Sequence, residues 1–229
     1  MILVMFDIDG TLAESNNLDR VAYLQALDDV FGFSSVSGDW DCYQHVTDSG
    51  ILKEICRLRR GSDPALKEID RFRTRFLELL ARGASARRGI RPIPGASAVL
   101  SRLLASREYA VAYASGAWAA SALLKLRSAG LPTEGIPSCF ADDDDSREGI
   151  CKLAHRRAEI HYQRLFERVV YVGDGAWDIR TAFKLGYSFI GVGQGLCAAG
   201  TVAQGLAHLL PDYQDTERFF LSLQSVEKT

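Results

Sequence analysis

The stretch MFDIDGTL, residues 5–12, decides how this chain folds. It ends an uninterrupted apolar run, Ile2–Phe6, whose residue types favour a buried central strand. Asp7 and Asp9 follow at the point where this strand meets solvent. Because ligands bind at the carboxyl ends of the strands in an open parallel sheet, these two acids are candidates for chemistry. Gly10 permits a sharp turn immediately after them.

A region of alternating strand and helix patterns begins near residue 91. The predicted strands are Tyr109–Ala114, Ser138–Ala141, Val169–Val172 and Ser188–Val192. The predicted helices between them are Ala96–Ser106, Ala117–Ala129, Arg147–Gln163 and one that ends at Gly186. This alternation predicts an α/β fold with a parallel sheet inside a Rossmann-like three-layer core.

Residues 14–88 interrupt this core with helix and loop patterns alone. The predicted helices there are Leu18–Phe31, Gly50–Arg60 and a third with Pro64 as its first residue. Thr47–Ser49 predicts the N-cap of the second helix, and Arg82–Gly89 predicts a hinge. We therefore expect a core domain of residues 1–13 and 89–229, with a small all-helical cap domain, residues 14–88, inserted after the first strand.

Size and charge limit the possible classes of function. The chain has 229 residues, a formal net charge of -2 and a pI near 6.1. These values argue against nucleic acid or a membrane surface as the main partner. The only uncharged stretch long enough to suggest a membrane span is 186–210, and its glycines favour a strand, a loop and a short helix instead.

The cysteine pattern predicts a reduced protein. The five cysteines are Cys42, Cys56, Cys139, Cys151 and Cys197. Their number is odd and no pair has the Cys-x-x-Cys spacing, so neither a disulfide framework nor a zinc site is expected. No basic segment precedes the first apolar run, so a signal peptide is not predicted. We therefore expect a cytoplasmic location.

Polar residues follow the strands of the predicted sheet. They are Asp7 and Asp9, then Ser115, then Arg147, then Asp174 and Asp178. Parallel strands bring such positions to one edge, although the residues lie far apart in sequence. A cluster of Asp7, Asp174 and Asp178 would repel itself without a cation, and hard oxygen ligands at an open edge suit Mg²⁺.

An anion site is predicted beside this cluster. Ser115 offers a hydroxyl, and the backbone N–H groups of Gly116 and Ala117 are expected to open the following helix. Either Arg147 or Lys152 can supply the positive charge. Arg147 is nearer to the strand end, whereas Lys152 lies further along the helix.

These elements resemble, in the same order, the four motifs of the haloacid dehalogenase-like superfamily in the form typical of its phosphatases and phosphomutases. The matching segments are Asp7-x-Asp9-Gly10-Thr11, Ser115-Gly116, a basic residue, and Gly173-Asp174-x-x-x-Asp178. The helical block resembles the cap of the subclass that includes phosphoglycolate phosphatase and β-phosphoglucomutase. One departure concerns the third motif, which usually holds lysine, while Arg147 stands at the matching place here.

The resemblance implies an Mg²⁺-dependent phosphatase that acts on a small phosphorylated metabolite, as a monomer or homodimer. Asp7 would attack phosphorus to form an aspartyl-phosphate, and Asp9 would act as general acid and base. Mg²⁺ would bind Asp7, the backbone carbonyl of Asp9, and Asp174, while Asp178 would orient metal-bound water or the basic residue. The residues implied in phosphate binding are Gly10, Thr11, Ser115, Gly116 and Arg147, with Lys152 as the alternative to Arg147 as the basic residue.

Two other functions remain open at this stage. A sugar phosphomutase of the β-phosphoglucomutase type would use the same residues, and a non-catalytic binding module would keep only the fold. Substrate specificity is expected to come from the cap, where Glu14, Thr47 and Asp48 are the candidates, although Asp48 also suits a plain helix cap. The acidic run Asp142–Asp145 is expected near the same edge as a solvated loop.

Overall fold

The computed structural model describes residues 1–193, 195–196 and 208–226. Its six strands are β1 (Ile2–Phe6), β2 (Tyr109–Ala114), β3 (Ser138–Cys139), β4 (Arg168–Gly173), β5 (Ser188–Val192) and β6 (Leu209–Leu210). They form one sheet in the order β3-β2-β1-β4-β5-β6, and all neighbouring strands are parallel. The prediction of a parallel α/β fold is confirmed.

Eight helices accompany the sheet in the described part of the chain. They are α1 (Asn16–Phe31), α2 (Asp48–Arg60), α3 (Leu66–Ala86), α4 (Ala96–Ala105), α5 (Ala119–Ser128), α6 (Arg147–Tyr162), α7 (Ala176–Leu185) and α8 (Thr216–Ser225). A 3-10 turn covers Trp40–Cys42. Among these helices, none has the length and apolar character that crossing a membrane requires.

Strand β1 lies at the centre of the sheet, and its side chains alternate between two cores. Val4 and Phe6 pack into the core on one face, whereas Leu3 and Met5 pack into the core on the other. All four are fully buried, as the apolar run requires. The strand order reverses between β1 and β4, and this reversal is where open α/β sheets bind ligands. Asp7 follows β1 at this reversal.

The helical block α1–α3 packs directly on the core through aromatic side chains. The Tyr23 ring of α1 lies 4.9 Å from the Phe72 ring and 5.5 Å from the Phe76 ring of α3, measured between centroids. Trp118, just before α5, joins this cluster at 6.0 Å from Phe76. One aromatic cluster therefore spans the inserted block and the α/β core.

The start of α3 differs from the prediction. The helix begins at Leu66, so Pro64 lies before it and is not its first residue. The Glu68 carboxylate accepts a hydrogen bond of 2.7 Å from the Ala65 backbone N–H, which makes Ala65 the N-cap.

The predicted hinge at Arg82–Gly89 is also largely wrong, because α3 continues to Ala86. Ala84 is buried, and the absence of a side chain at Gly83 leaves room for Leu18 of α1. The left-handed backbone is confined to Arg88 (φ +61°) and Gly89 (φ +105°). The chain therefore turns over a few residues instead of eight.

The C-terminal elements β6 and α8 were not predicted. Phe219 of α8 stacks on Phe6 of β1 with ring centroids 6.2 Å apart, and Tyr213 lies 5.3 Å from Phe219. This segment therefore covers one face of the central strand. The short helix predicted between residues 192 and 210 falls largely outside the described residues, as does Cys197.

Gly95 fixes this C-terminal segment to the start of α4. Its backbone is left-handed (φ +82°), and a Cβ there would overlap the Tyr213 carbonyl. We expect Gly95→Ala to lower the free energy of unfolding by about 2–5 kcal/mol, from backbone strain and steric overlap together. Gly186→Ala is the matched control, because Gly186 is also left-handed (φ +64°) but has open space around it. Equal losses in urea unfolding would contradict this account of Gly95.

Candidate active site

Three carboxylates meet where β1 and β4 end. Asp7 follows β1 and is 1% exposed, and its backbone N–H donates to the Val172 carbonyl of β4 over 3.0 Å. Asp174 follows β4, and Asp178 lies in the first turn of α7. One carboxylate oxygen from each of Asp7, Asp174 and Asp178 lies within 4.8 Å of the others. The sequence predicts that Asp7, Asp174 and Asp178 converge at one edge of the sheet, and the structure brings them together there.

The turn after β1 brings Asp174 against the first loop. Gly10 has a left-handed backbone (φ +71°), and a Cβ there would overlap the Asp174 carboxylate and the Asn16 amide. Asn16 Nδ2 donates to Asp174 Oδ2 over 2.8 Å. The other oxygen, Oδ1, is buried and has no hydrogen-bond partner in the described part of the chain. It is therefore available as a metal ligand.

Arg147 supplies the positive charge of this cluster. Its Nη1 lies 3.2 Å from Asp7 Oδ1 and 3.0 Å from Asp178 Oδ1, and its Nε donates to the Val46 carbonyl over 2.8 Å. Asp178 Oδ1 also accepts a 2.9 Å hydrogen bond from the Tyr171 hydroxyl. Asp178 therefore holds the guanidinium in place beside Asp7.

The electrostatics of the cluster fit a divalent cation. Burial raises the pKa of Asp7, although Arg147 opposes this shift. Burial, together with the neighbouring acids, raises the pKa of Asp174 well above its usual range. Burial also raises the pKa of Asp178 to about 7, again against the effect of Arg147. One guanidinium does not balance three carboxylates, and their hard oxygens are the donor set that Mg²⁺ prefers.

Ser115 lies beside Asp7, but the helix after it does not offer the predicted anion site. A hydrogen bond from Ser115 lowers the pKa of Asp7. The Ala117 N–H turns back to Ser115 Oγ at 3.3 Å, and α5 begins only at Ala119. The Ala119 N–H donates to Asp142 Oδ2 over 2.6 Å. A protein carboxylate therefore already occupies the start of this helix.

Gly116 and Thr11 occupy different surroundings. Gly116 lines a cavity of about 290 Å³ that also contains Asp7 and Asp9. The Thr11 hydroxyl is buried and has no hydrogen-bond partner in the described ranges. Its backbone N–H donates to the Ile8 carbonyl over 3.3 Å.

The N-terminal end of α2 lines this cavity. Thr47 is the N-cap, since its hydroxyl accepts from the Gly50 N–H at 3.0 Å, and it also donates to the Asp145 carbonyl at 2.7 Å. Asp48 is therefore not the helix cap. Its carboxylate accepts instead from the Trp118 N–H of the core over 2.8 Å.

Glu14, the third specificity candidate, does not line this cavity. Its carboxylate pairs with Arg91 at 2.8 Å.

A protein-family model for haloacid dehalogenase-like hydrolases matches residues 2–186. The chain belongs to this family. The predicted resemblance and the prediction of a hydrolase are therefore confirmed. A search of curated protein sequences found no match.

Solved structures of this family share the fold at low sequence identity. A hydrolase from Pseudomonas syringae is 18% identical, with a TM-score of 0.72 over 94% of this chain and 97% of its own. CbbY from Rhodobacter sphaeroides, in complex with phosphate, is 22% identical, with a TM-score of 0.67 over 93% and 94%. A predicted phosphoglycolate phosphatase from Haemophilus somnus is 16% identical, with a TM-score of 0.61 over 95% and 97%.

The structure separates the two basic residues that were considered for the third motif. Arg147 contacts Asp7, whereas Lys152 on the same helix is exposed to solvent. Arg147 stands at the first position of α6, next to the sheet edge, so its side chain reaches back into the cluster. Lys152 lies more than one turn further along and does not.

Lys125 is a residue of the site that the sequence analysis missed. Its ammonium group is fully buried, donates to Asp9 Oδ2 over 2.8 Å and pairs with Asp19 of α1. Ala122, Leu126 and Ala129 are buried along the same side of α5. Their spacing from residue 125 is the signal that this lysine faces inward.

The acidic run Asp142–Asp145 is not a plain solvated loop. Asp142 pairs with Arg73 of α3, and Asp145 pairs with Lys53 of α2. Two of its four carboxylates thus attach the helical block to the core instead of facing a substrate.

We expect loss of the Lys125 ammonium to leave buried carboxylates without a partner. Lys125→Met should lower the free energy of unfolding by about 3–5 kcal/mol, measured in urea. Adding Asp19→Asn should restore part of this loss, because one buried charge is removed with its partner. Lys67→Met is the control: Lys67 is exposed on α3, so its loss should cost less than about 0.5 kcal/mol. Equal effects of the two lysine substitutions would contradict the role of Lys125.

Asp48 should make stability fall as pH rises. Burial and the neighbouring Asp19 raise the pKa of Asp48 to about 8 in the folded protein, against a usual value of 3.8. Between these values the folded state binds more protons than the unfolded state, so the free energy of unfolding decreases with increasing pH. Asp48→Asn should therefore stabilise the protein, with a gain that grows from pH 4 to about pH 8. Urea unfolding across this range measures the gain, with Asp28→Asn at an exposed position of α1 as the control. A gain for Asp48→Asn that does not depend on pH would contradict the prediction.

Proposed function

We propose that this protein is an Mg²⁺-dependent phosphatase that hydrolyses a small phosphomonoester through an aspartyl-phosphate on Asp7. The observation that carries the proposal is the position of Asp7. Its carboxylate shares a site with Asp174 and Asp178, within 4.8 Å, and lies 3.2 Å from Arg147. It borders a cavity of about 290 Å³, a size that suits a small ester.

In the proposed reaction an Asp7 carboxylate oxygen attacks phosphorus as the bond to the leaving oxygen breaks. Arg147 favours the ionised form of Asp7 and, with Ser115, binds the oxygens of the transferred group. Asp7, Asp174 and the Asp9 backbone carbonyl would hold Mg²⁺, which neutralises charge on the phosphoryl group when bound.

Asp9 is the proposed general acid and base. Its side chain lines the cavity, where Ser15 Oγ donates to Oδ1 over 2.6 Å and Lys125 Nζ donates to Oδ2 over 2.8 Å. These two contacts fix the orientation of the carboxyl group. Asp9 gives a proton to the leaving alkoxide and then takes one from the water that hydrolyses the aspartyl-phosphate.

The solved relatives support the proposed substrate class. One CbbY structure holds phosphate, a structure of a CbbY mutant holds xylulose 1,5-bisphosphate, and another relative is a predicted phosphoglycolate phosphatase. A phosphorylated metabolite is therefore the substrate class that we propose for this chain.

The cysteines support a proposed cytoplasmic location, because Cys42, Cys56, Cys139 and Cys151 are free thiols.

The proposal predicts that Asp7→Asn abolishes catalysis. We expect Mg²⁺-dependent phosphate release from 4-nitrophenyl phosphate to fall at least ~10³-fold, because an amide cannot act as the nucleophile. Chelation of Mg²⁺ by EDTA should stop the wild-type protein equally. Asp70→Asn, an exposed position on α3, is the control for the loss of one carboxylate and should keep full activity. Substantial phosphate release by Asp7→Asn would remove Asp7 as the nucleophile, and isomerisation of a sugar phosphate without phosphate release would favour a phosphomutase.

A further inference from the structure

We propose that the alcohol released from phosphorus carries an ammonium group, which Asp19 and Asp48 recognise. This inference rests on the proposed phosphatase function, because it concerns the part of the same cavity that holds the leaving group. It defines the substrate class as a small phosphomonoester of an amino alcohol.

The helical block contributes carboxylates, not cations, to the buried wall of this cavity. Asp19 of α1 and Asp48 of α2 both line it, and their exposed fractions are 9% and 7%. Asp9 of the core lies on the same side, where the leaving group must sit if Asp9 is its proton donor. Lys125 is shared between Asp9 and Asp19. Three carboxylates therefore face one buried ammonium.

The two arginines that line the cavity do not correct this imbalance. Arg147 is bound to Asp7 and Asp178 on the side of the nucleophile. Arg20 is exposed at the cavity rim, where its guanidinium donates to Asn17 Oδ1 over 3.0 Å. The leaving-group side thus holds more acidic side chains than cations.

The pKa values of Asp19 and Asp48 reflect the burial of several acids in one place. Burial raises the pKa of Asp19 to about 6, although Lys125 opposes the shift, and burial raises the pKa of Asp48 to about 8. Like charge adds to both shifts: the neighbouring Asp9 raises the pKa of Asp19, and Asp19 and Asp9 raise the pKa of Asp48. A cation bound between them would offset the cost of burying both.

The remaining walls also suit a cation. Tyr23 and Trp40 line the cavity, and their rings lie 5.5 Å apart in an edge-to-face arrangement. Aromatic faces attract ammonium groups, and an ammonium has three N–H donors for carboxylate acceptors. An ammonium favours the ionised forms of Asp19 and Asp48, whereas a carboxylate on the leaving group would disfavour them and a hydroxyl would supply no opposite charge.

Three two-carbon phosphomonoesters that differ only in the terminal group test the proposal. They are 2-aminoethyl phosphate, 2-hydroxyethyl phosphate and phosphoglycolate, which end in an ammonium, a hydroxyl and a carboxylate. With Mg²⁺ near pH 7, we expect kcat/KM for the ammonium ester to exceed that for the hydroxyl ester at least ~10-fold and that for phosphoglycolate ~100-fold. A preference for phosphoglycolate, or equal values for all three esters, would overturn the inference.

Charge removal tests the two acids individually. Asp19→Asn and Asp48→Asn should each lower the ratio of kcat/KM for the ammonium ester over the hydroxyl ester about 10-fold. Asp28→Asn removes a charge from an exposed position of α1 and should leave this ratio unchanged. Ratios that do not change in the two cavity variants would also overturn the inference. The ratio compares two substrates on the same protein sample, so a lower fraction of folded protein in a variant does not change it.

4-Nitrophenyl phosphate separates the failure of this inference from failure of the proposed function. If its hydrolysis requires Mg²⁺ but the ammonium ester is not preferred, only the assignment of the leaving group is wrong. If the protein hydrolyses neither this ester nor any of the three two-carbon esters, the phosphatase proposal and the inference both fail.

Discussion

Buried negative charge at the carboxyl edge of the sheet is the constraint on which the rest of the structure depends. Asp7, Asp174 and Asp178 are brought together by β1 and β4, and burial raises the pKa of each. Removing an ionised carboxylate from water costs several kcal/mol, and this cost must be offset by opposite charge or hydrogen bonds. Arg147 offsets part of it. The remaining deficit of positive charge is the condition under which a divalent cation binds tightly.

The same problem recurs on the side of the helical block, where Lys125 is the buried cation. It joins Asp9, which belongs to the core, to Asp19, which belongs to α1. The side chain proposed to move protons is therefore held by a lysine that the helical block also contacts. The pairs of Arg73 with Asp142 and Lys53 with Asp145 add contacts at the rim, which solvent screens more strongly than the buried pair. Electrostatic contacts thus couple the position of the helical block to the arrangement of the proposed catalytic groups.

What the sequence could predict depended on how local the signal was. One apolar run was enough to predict the strand Ile2–Phe6 and to single out the acids after it. Asp174 was predicted in the same way, because it lies in a glycine-flanked turn after a second apolar run. The choice between Arg147 and Lys152 was less evident. Position along the helix favoured Arg147, but the contacts with Asp7 and Asp178 that separate the two residues are tertiary. Lys125 was missed because a lysine between two leucines ordinarily points to solvent. Strand β6 has two residues, too few to give a periodic pattern.

Asp48 shows why charge at a buried position is informative. Its structural role is to accept the Trp118 N–H, which ties α2 to the core. The side-chain oxygen of asparagine would accept the same hydrogen bond without the cost of burying an ionisable group. A carboxyl group beside Asp19 is therefore more than that contact requires, and stability alone does not account for it. A positively charged ligand does, because it converts two mutually unfavourable acids into two binding partners. The cost to the empty protein and the affinity for such a substrate then have the same physical origin.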